Sequence, residues 1–223
     1  MSKLIFDPQS IPVESMAGEM PVKPERLVPD WLRMRFASPP IWTPEMTDEH
    51  RARNALVLPK PASVLIPIVA RDAGLTMLFT QRTAHLTDHA GQVSFPGGRA
   101  EQSDVSPIET ALRETEEEVG LHRRHIDVLG VLPEYFTVTG YRVTPVVSLV
   151  QPPFDLQADP FEVAEIFEVP LAFLMDGRHH QRRTVTLPSG VGSRTFYAMQ
   201  YDRFFIWGAT AGMLRNLFHF LRA

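Results

Sequence analysis

From residue 63 onward, short apolar runs alternate with turn signals. The β-branched run at 63–69, the turn Asp72-Ala73-Gly74 and the alternating stretch 75–81 predict a β-hairpin. Further strands are predicted at 92–95, 128–132, 142–150 and 166–169, with a short helix at 170–175. Residues 185–187, a turn at Ser189-Gly190 and residues 195–200 read as a late hairpin, and 204–207 as a last strand. The stretch 207–221 carries Arg215, Asn216 and His219 among its apolar residues; it is too polar to span a bilayer and reads as an amphipathic packing helix. Strands first, with one helix inserted between them and another at the end, suit an α/β sandwich around a mixed sheet.

The most sharply bounded element is the inserted helix, predicted over 107–119. Ser106 is its N-cap, Pro107 takes the first helical position, Glu109 follows the cap in capping-box order, and Gly120 supplies a left-handed stop. Within it Glu114, Glu117 and Glu118 stand at i, i+3 and i+4, which brings three carboxylates to one face about 5–6 Å apart at Cβ. Glu116 points elsewhere. On composition alone such a run is a solvated face. Yet like charges at this spacing cost a few tenths of a kcal/mol per pair, and no lysine interleaves residues 114–118 to relieve them. A divalent cation would relieve them, and hard carboxylate oxygens suit Mg²⁺ or Mn²⁺.

Residues 1–62 are rich in proline, including Pro12, Pro21, Pro24, Pro29, Pro39, Pro40, Pro44, Pro59 and Pro61, so only short helices fit there, with 30–36 and 44–56 as candidates. This extension is expected to wrap the body of the chain, residues 63–223, or that of a second copy, which keeps a homodimer open. With 223 residues, 44% of them hydrophobic, the chain is long enough to bury a sizeable core. It has no cysteine, which excludes disulfides, thiolate catalysis and Cys-ligated zinc. A net charge of −4 gives no field for long nucleic acid or an anionic membrane surface. No basic-then-apolar leader is read and no apolar run approaches the roughly 20 residues of a membrane span, so a cytoplasmic protein is expected. His85 and His89 lie four apart but lack a nearby third ligand, and read as polar substrate contacts or plain surface rather than a zinc pair.

Upstream of the inserted helix, Phe95-Pro96-Gly97-Gly98 is a turn in which proline fixes one φ and the glycines allow close backbone approach. Turn, loop and helix together resemble the Nudix box, Gly-x5-Glu-x7-Arg-Glu-U-x-Glu-Glu-x-Gly-U with U apolar: Gly98, Arg113, Glu114, Glu117, Glu118, Gly120 and Leu121 match. Gly98 to Arg113 is one residue longer than the general box, the first acidic position is Asp104 or is taken over by Glu109, and Thr115 replaces an apolar residue. Glu109 precedes Arg113 by four residues, the favourable order for a helical ion pair, so it is a candidate to orient Arg113; an ordinary surface pair is the alternative.

Before the box, Leu78-Phe79-Thr80-Gln81-Arg82-Thr83, Gly91 and Phe95-Pro96-Gly97-Gly98 stand in register with the segment that marks the coenzyme A pyrophosphatase branch of the Nudix family. Residues 139–146 and 207–211 also resemble that branch, so the likeness runs from about Ser63 to the C-terminus. The second arginine of the branch pattern is missing: its position is Thr87, followed by Asp88, so a basic contact expected for the coenzyme is absent or supplied from elsewhere.

The resemblance implies a Nudix-type α/β/α sandwich with a mixed β-sheet over residues 63–223. It implies hydrolysis of the pyrophosphate bond of coenzyme A or acyl-coenzyme A to 3′,5′-ADP and (acyl-)4′-phosphopantetheine. ADP-ribose, NADH or another nucleoside diphosphate derivative is the alternative substrate, and a silent nucleotide-binding domain the non-catalytic alternative. Mg²⁺ or Mn²⁺ is the implied cofactor, held by Glu117, Glu118 and the Gly97 carbonyl, with Glu114 as ligand or as the base that orients water and Arg113 holding Glu114. Arg82 and Gly98 are expected at the substrate. A fourth acidic group is expected from residues 159–165, with Glu162 preferred to Glu165 at the mouth of the site.

Overall fold

The computed structural model describes residues 6–45, 58–85, 90–186 and 192–223. A two-residue strand β1 (Ser15–Met16) and helix α1 (Pro29–Ala37) precede the expected hairpin, formed by β2 (Lys60–Arg71) and β3 (Gly74–Arg82). Next come β4 (Val93–Ser94), β5 (Gly97–Arg99) and helix α2 (Pro107–Val119), whose bounds are those predicted. Then follow β6 (Ile126–Val131), β7 (Tyr135–Phe136), β8 (Tyr141–Val150), β9 (Val163–Pro170) and the short helix α3 (Leu171–Leu174). The chain closes with β10 (Gln181–Thr186), β11 (Ser193–Tyr201), β12 (Phe204–Trp207) and helix α4 (Gly208–Arg222). Of the candidate helix at 44–56, Pro44 and Glu45 are not helical and 46–56 lie outside the described residues, as do Thr87, His89 and the Ser189-Gly190 turn.

One sheet runs in the order β4-β3-β2-β8-β6, with β5 also on β2, β7 on β8 and β9 on β3. It is mixed because β2 and β8 are parallel while the other pairs are antiparallel. Pro67 has no N–H to give, and it falls in the interval between pairing with β5, which ends at Val64, and pairing with β3, which starts at Ile68. The period of two along the strands sorts side chains to two faces. Leu65 and Val146 pack with Ala111 and Leu112 of α2, and Val69, Leu78 and Val150 with Val119 and Leu121. The alternate residues Ile66, Ile68, Phe79, Val147 and Leu149 join the larger core with Leu214, Leu217 and Phe218 of α4. A fully buried side chain of this kind contributes about 1.5–3 kcal/mol, so the sheet held between α2 and α4 is an α/β/α sandwich.

The late strands do not join that sheet. They form a second, antiparallel one in the order β1-β10-β11-β12, and β1, in a proline-rich stretch without alternation, was not predicted at all. Residues of the N-terminal extension share the main core through Val22 and Leu32, and Arg26 donates to the carbonyls of Leu221 (2.9 Å) and Arg222 (2.7 Å) at the end of α4. Deeper in, Arg215 of α4 chelates Glu19 (2.7 and 3.1 Å) and donates through Nε to Glu45 (3.0 Å), which also accepts from Tyr197 (2.5 Å). No helix among the described residues is long and apolar enough to cross a membrane.

His180 joins this network with no exposed surface. Its Nδ1 accepts from Arg215 (3.0 Å), so its Nε2 carries the proton and donates to the Leu174 carbonyl (2.8 Å). Burial, with Arg215 adding to it, holds its pKa down at about 4 against an ordinary 6.5. Between those values the unfolded chain binds a proton that the folded chain does not, so stability is full above pH 6.5 and falls as pH drops toward 4. The expected loss is about 2–3 kcal/mol, read as a fall in the urea-unfolding free energy of the wild type relative to that of His180→Gln between pH 6.5 and 4.5, since groups with raised carboxyl pKa values shift both proteins alike. An equal decline in the variant would assign the effect to other groups.

Candidate active site

The site is built around α2. Ser106 Oγ accepts from the Glu109 N–H (3.2 Å), and Gly120 closes the helix with φ of 69°. These caps fix the register that sends Arg113, Glu114, Glu117 and Glu118 to their places.

Arg113 is the hub. Its Nε and Nη2 meet Asp104 at 3.0 and 2.9 Å, Nη1 meets Glu114 (3.1 Å) and Glu117 (2.8 Å), and Nη2 also donates to the Arg99 carbonyl (3.1 Å). Asp104 itself is fixed by the Glu101 N–H (2.9 Å) and the Thr110 hydroxyl (3.0 Å). The Arg113 guanidinium, these donors added, holds the Asp104 carboxyl well below the usual carboxylate range, and Asp104 in turn raises Arg113. This corrects the helical expectation for Glu109: the residue that orients Arg113 is Asp104, and the Glu109 carboxylate turns to Arg123 (3.0 Å) instead. A bidentate carboxylate presented from a fixed loop matches the guanidinium fork better than an i, i+4 neighbour on the same helix. Asp104→Ala is expected to release Arg113 and lower kcat about tenfold, the scale of one charged hydrogen bond, with metal-free stability measured alongside to separate lost positioning from unfolding.

The three expected carboxylates do share the helix face, but Arg113 divides them. Glu114 and Glu117 both lean on it, Glu117 with 59% of its side chain exposed. Glu118 is buried and accepts from the Gly97 N–H at 3.1 Å. Consequently, among the described residues, no three His, Cys, Asp or Glu side chains come together as a ready ion-holding group in these rotamers. Burial pushes the Glu118 carboxyl up to about 8, against the pull of Gly97 and Arg82, and burial also lifts Glu114. Glu118 and Glu114, two oxygen-donor groups whose charged forms burial disfavours, suit a hard divalent cation as counter-charge.

Both glycines of the turn lie in close approach, Gly97 to fixed backbone and Gly98 to the movable end of a side chain. A Cβ on Gly98 would lie 2.5 Å from the Glu114 carboxyl group, and one on Gly97 would lie 2.4 Å from the Ser63 carbonyl, at a φ of +150°. The structure therefore places Gly98 beneath Glu114, as the clearance that lets that side chain lie flat. Arg82, at the end of β3, reaches Glu118 at 3.9 Å and Glu162 at 3.8 Å, and its Nε is buried without a partner. Glu162 thus joins the cluster. Glu165 does not: it pairs with Arg203. His85 is exposed.

A loop ahead of β9 ties this edge to α2. Gln157 N–H donates to the Val119 carbonyl and Asp159 N–H to the Glu118 carbonyl, both at 2.9 Å. The Thr83 N–H and hydroxyl bind the carbonyls of Glu162 (2.9 Å) and Phe161 (2.8 Å). Sequence reasoning singled out the acidic residues of this segment and missed the anchors, which apart from the Thr83 hydroxyl are main-chain and leave no side-chain signature.

Residues 59–188 match a family profile described as NUDIX domain. The chain is 45% identical over 160 residues to the protein named Uncharacterized Nudix hydrolase NudL of Escherichia coli (strain K12 / DH10B), covering 71% of this chain and 81% of that one. It is 42% identical over 183 residues to the like-named protein of Shigella sonnei (strain Ss046), covering 77% and 93%. Among solved structures it is similar to a Nudix hydrolase from M. smegmatis, RenU, with a TM-score of 0.43 and 23% identity over 50% of this chain and 71% of that one. On the extent of the profile match and the identity to the Escherichia coli relative, the chain belongs to the NUDIX domain family.

Proposed function

We propose that this chain hydrolyses the pyrophosphate bond of coenzyme A or acyl-coenzyme A, releasing 3′,5′-ADP and (acyl-)4′-phosphopantetheine, with residues 63–223 as the catalytic domain and 1–62 as an extension clamped to it. The observation that carries the reading is Arg82, in the segment that resembles the coenzyme A branch. Its two ion pairs are longer than a hydrogen bond, so its donors are available to a phosphate beside Glu118.

Glu114, Glu117, Glu118 and the Gly97 carbonyl would hold Mg²⁺ or Mn²⁺. The cation, when bound, neutralises the diphosphate oxygens and acidifies water. Arg113 keeps Glu114 and Glu117 in place, and Asp104 keeps Arg113. Glu114, raised from its ordinary value by burial, orients the attacking water and takes its proton. Arg82 draws on one phosphate, and its attraction to Glu118 and Glu162 keeps it at the mouth when substrate leaves.

Incubation of the purified protein and Mg²⁺ or Mn²⁺ with coenzyme A, an acyl derivative, ADP-ribose and NADH, followed by product separation, tests the reading. The expected products are 3′,5′-ADP and the phosphopantetheine half, formed faster than any product of ADP-ribose or NADH. Faster turnover of either alternative would replace the substrate and keep the chemistry, whereas turnover of none would leave a binding domain.

A further inference from the structure

We propose that Phe161 is the platform on which the substrate's adenine base stacks. The proposal rests on the reading that an adenine nucleotide occupies the site at Arg82. Phe161 is 74% exposed in a chain whose phenylalanines are otherwise largely packed away, and among the described residues no ring or cation lies against it. Exposure of one apolar side chain is ordinary; its setting is not.

The backbone on both sides of the ring is fixed. Phe161 N–H donates to Asp159 Oδ1 (2.9 Å), its carbonyl accepts from Thr83, the next N–H binds the Asp159 carbonyl (3.2 Å), and Val163 N–H binds that carbonyl too (2.8 Å). Asp159 is itself held to the Glu118 carbonyl, and Thr83 follows Arg82 directly. The backbone that carries the ring is thus tethered at one end to the main chain of Glu118 and at the other to Thr83, the neighbour of Arg82. A loop that spends this many hydrogen bonds to fix a solvent-facing aromatic next in sequence to Glu162, itself 3.8 Å from Arg82, suits a ligand with a flat π-face next to its phosphates. An adenine nucleotide has that form, and the pantetheine arm does not.

The test is binding of the two product halves, 3′,5′-ADP and 4′-phosphopantetheine, to wild type, Phe161→Ala and Phe161→Trp in saturating Mg²⁺, by calorimetry. Base–aromatic stacking on the scale seen elsewhere predicts that Phe161→Ala weakens 3′,5′-ADP about 5- to 100-fold, leaves 4′-phosphopantetheine within about twofold, and is rescued by Phe161→Trp. In the tryptophan variant, emission above the background of Trp31, Trp42 and Trp207 should be quenched by 3′,5′-ADP and not by ribose 5-phosphate. Equal losses for both halves, a loss confined to 4′-phosphopantetheine, or no quenching at concentrations where wild type binds 3′,5′-ADP would overturn the stacking role. So would failure of wild type to bind 3′,5′-ADP, ADP and ADP-ribose alike. Intact binding and quenching without coenzyme A turnover would instead overturn the substrate reading and leave the platform standing.

Discussion

Glu118→Gln is expected to lower turnover at least a hundredfold and, in the presence of EDTA, to make the protein more stable. The two effects have one cause. Glu118 is buried against the Gly97 N–H, and burial pushes its carboxyl up to about 8 from an ordinary 4.5. A group whose folded pKa is raised binds a proton in the folded chain that the unfolded chain has released, so stability falls as pH rises from 4.5 to 8. Glutamine keeps an acceptor for Gly97 and has no charge to desolvate, so near pH 7 the metal-free variant should gain about 1–3 kcal/mol. The same neutrality removes the counter-charge for a divalent cation. Mg²⁺ should therefore raise the melting temperature of the wild type and leave that of Glu118→Gln unmoved. Near wild-type turnover, or a variant less stable than wild type in EDTA, would take Glu118 out of the proposed role.

Which parts of this arrangement the sequence discloses follows from how local the signals are. Helix α2 is bounded by its own neighbours, Ser106, Pro107 and Gly120, and its limits are legible to the residue. Strand β12 likewise matches its apolar run. Strands β1, β5 and β7 span two or three residues each and exist only because a longer strand offers free edge groups, which no window of sequence contains. The first four residues of β10, Gln181-Arg182-Arg183-Thr184, are polar, and Arg183 reaches across to the carbonyls of Gln9 (3.0 Å) and Ile11 (2.6 Å). The Arg113 partner shows the same limit at the site. The i, i+4 rule nominated Glu109, but a loop carboxylate nine residues away and a distant Arg123 outcompete it, and that choice belongs to tertiary packing. The likeness to the Nudix box located the carboxylates without showing that Arg113 stands between them.

The clamp between extension and α4 is the least legible element, since Glu19 and Glu45 lie 196 and 170 residues from Arg215, and it carries the largest stability effect expected here. Arg215 is 3% exposed and meets both carboxylates at 2.7 to 3.1 Å, with its guanidinium 4.6 Å from the Tyr197 ring centroid. Removing one partner of a buried ionic group leaves the others desolvated and unpaired, at a cost of about 3–5 kcal/mol. Arg215→Ala does this to Glu19 and Glu45 and also takes the donor from His180 Nδ1. Glu45, held at about 2 by His219, Tyr197 and Arg215 despite its burial, loses one of those three supports. Arg71→Ala, which breaks a pair with Glu168 at 2.5 Å in which the two side chains are 38% and 21% exposed, supplies the contrast and should cost less, about 1 kcal/mol. Arg215→Lys should recover little, because one ammonium cannot satisfy two carboxylates and a histidine nitrogen in the geometry of a guanidinium fork. Urea unfolding of the three variants at pH 7 measures these differences, and protease nicking within residues 6–45 should accelerate in Arg215→Ala before activity is lost to global unfolding. A cost for Arg215→Ala no greater than that for Arg71→Ala would mean that the apolar contacts of Val22 and Leu32, rather than the buried charges, hold the extension in place.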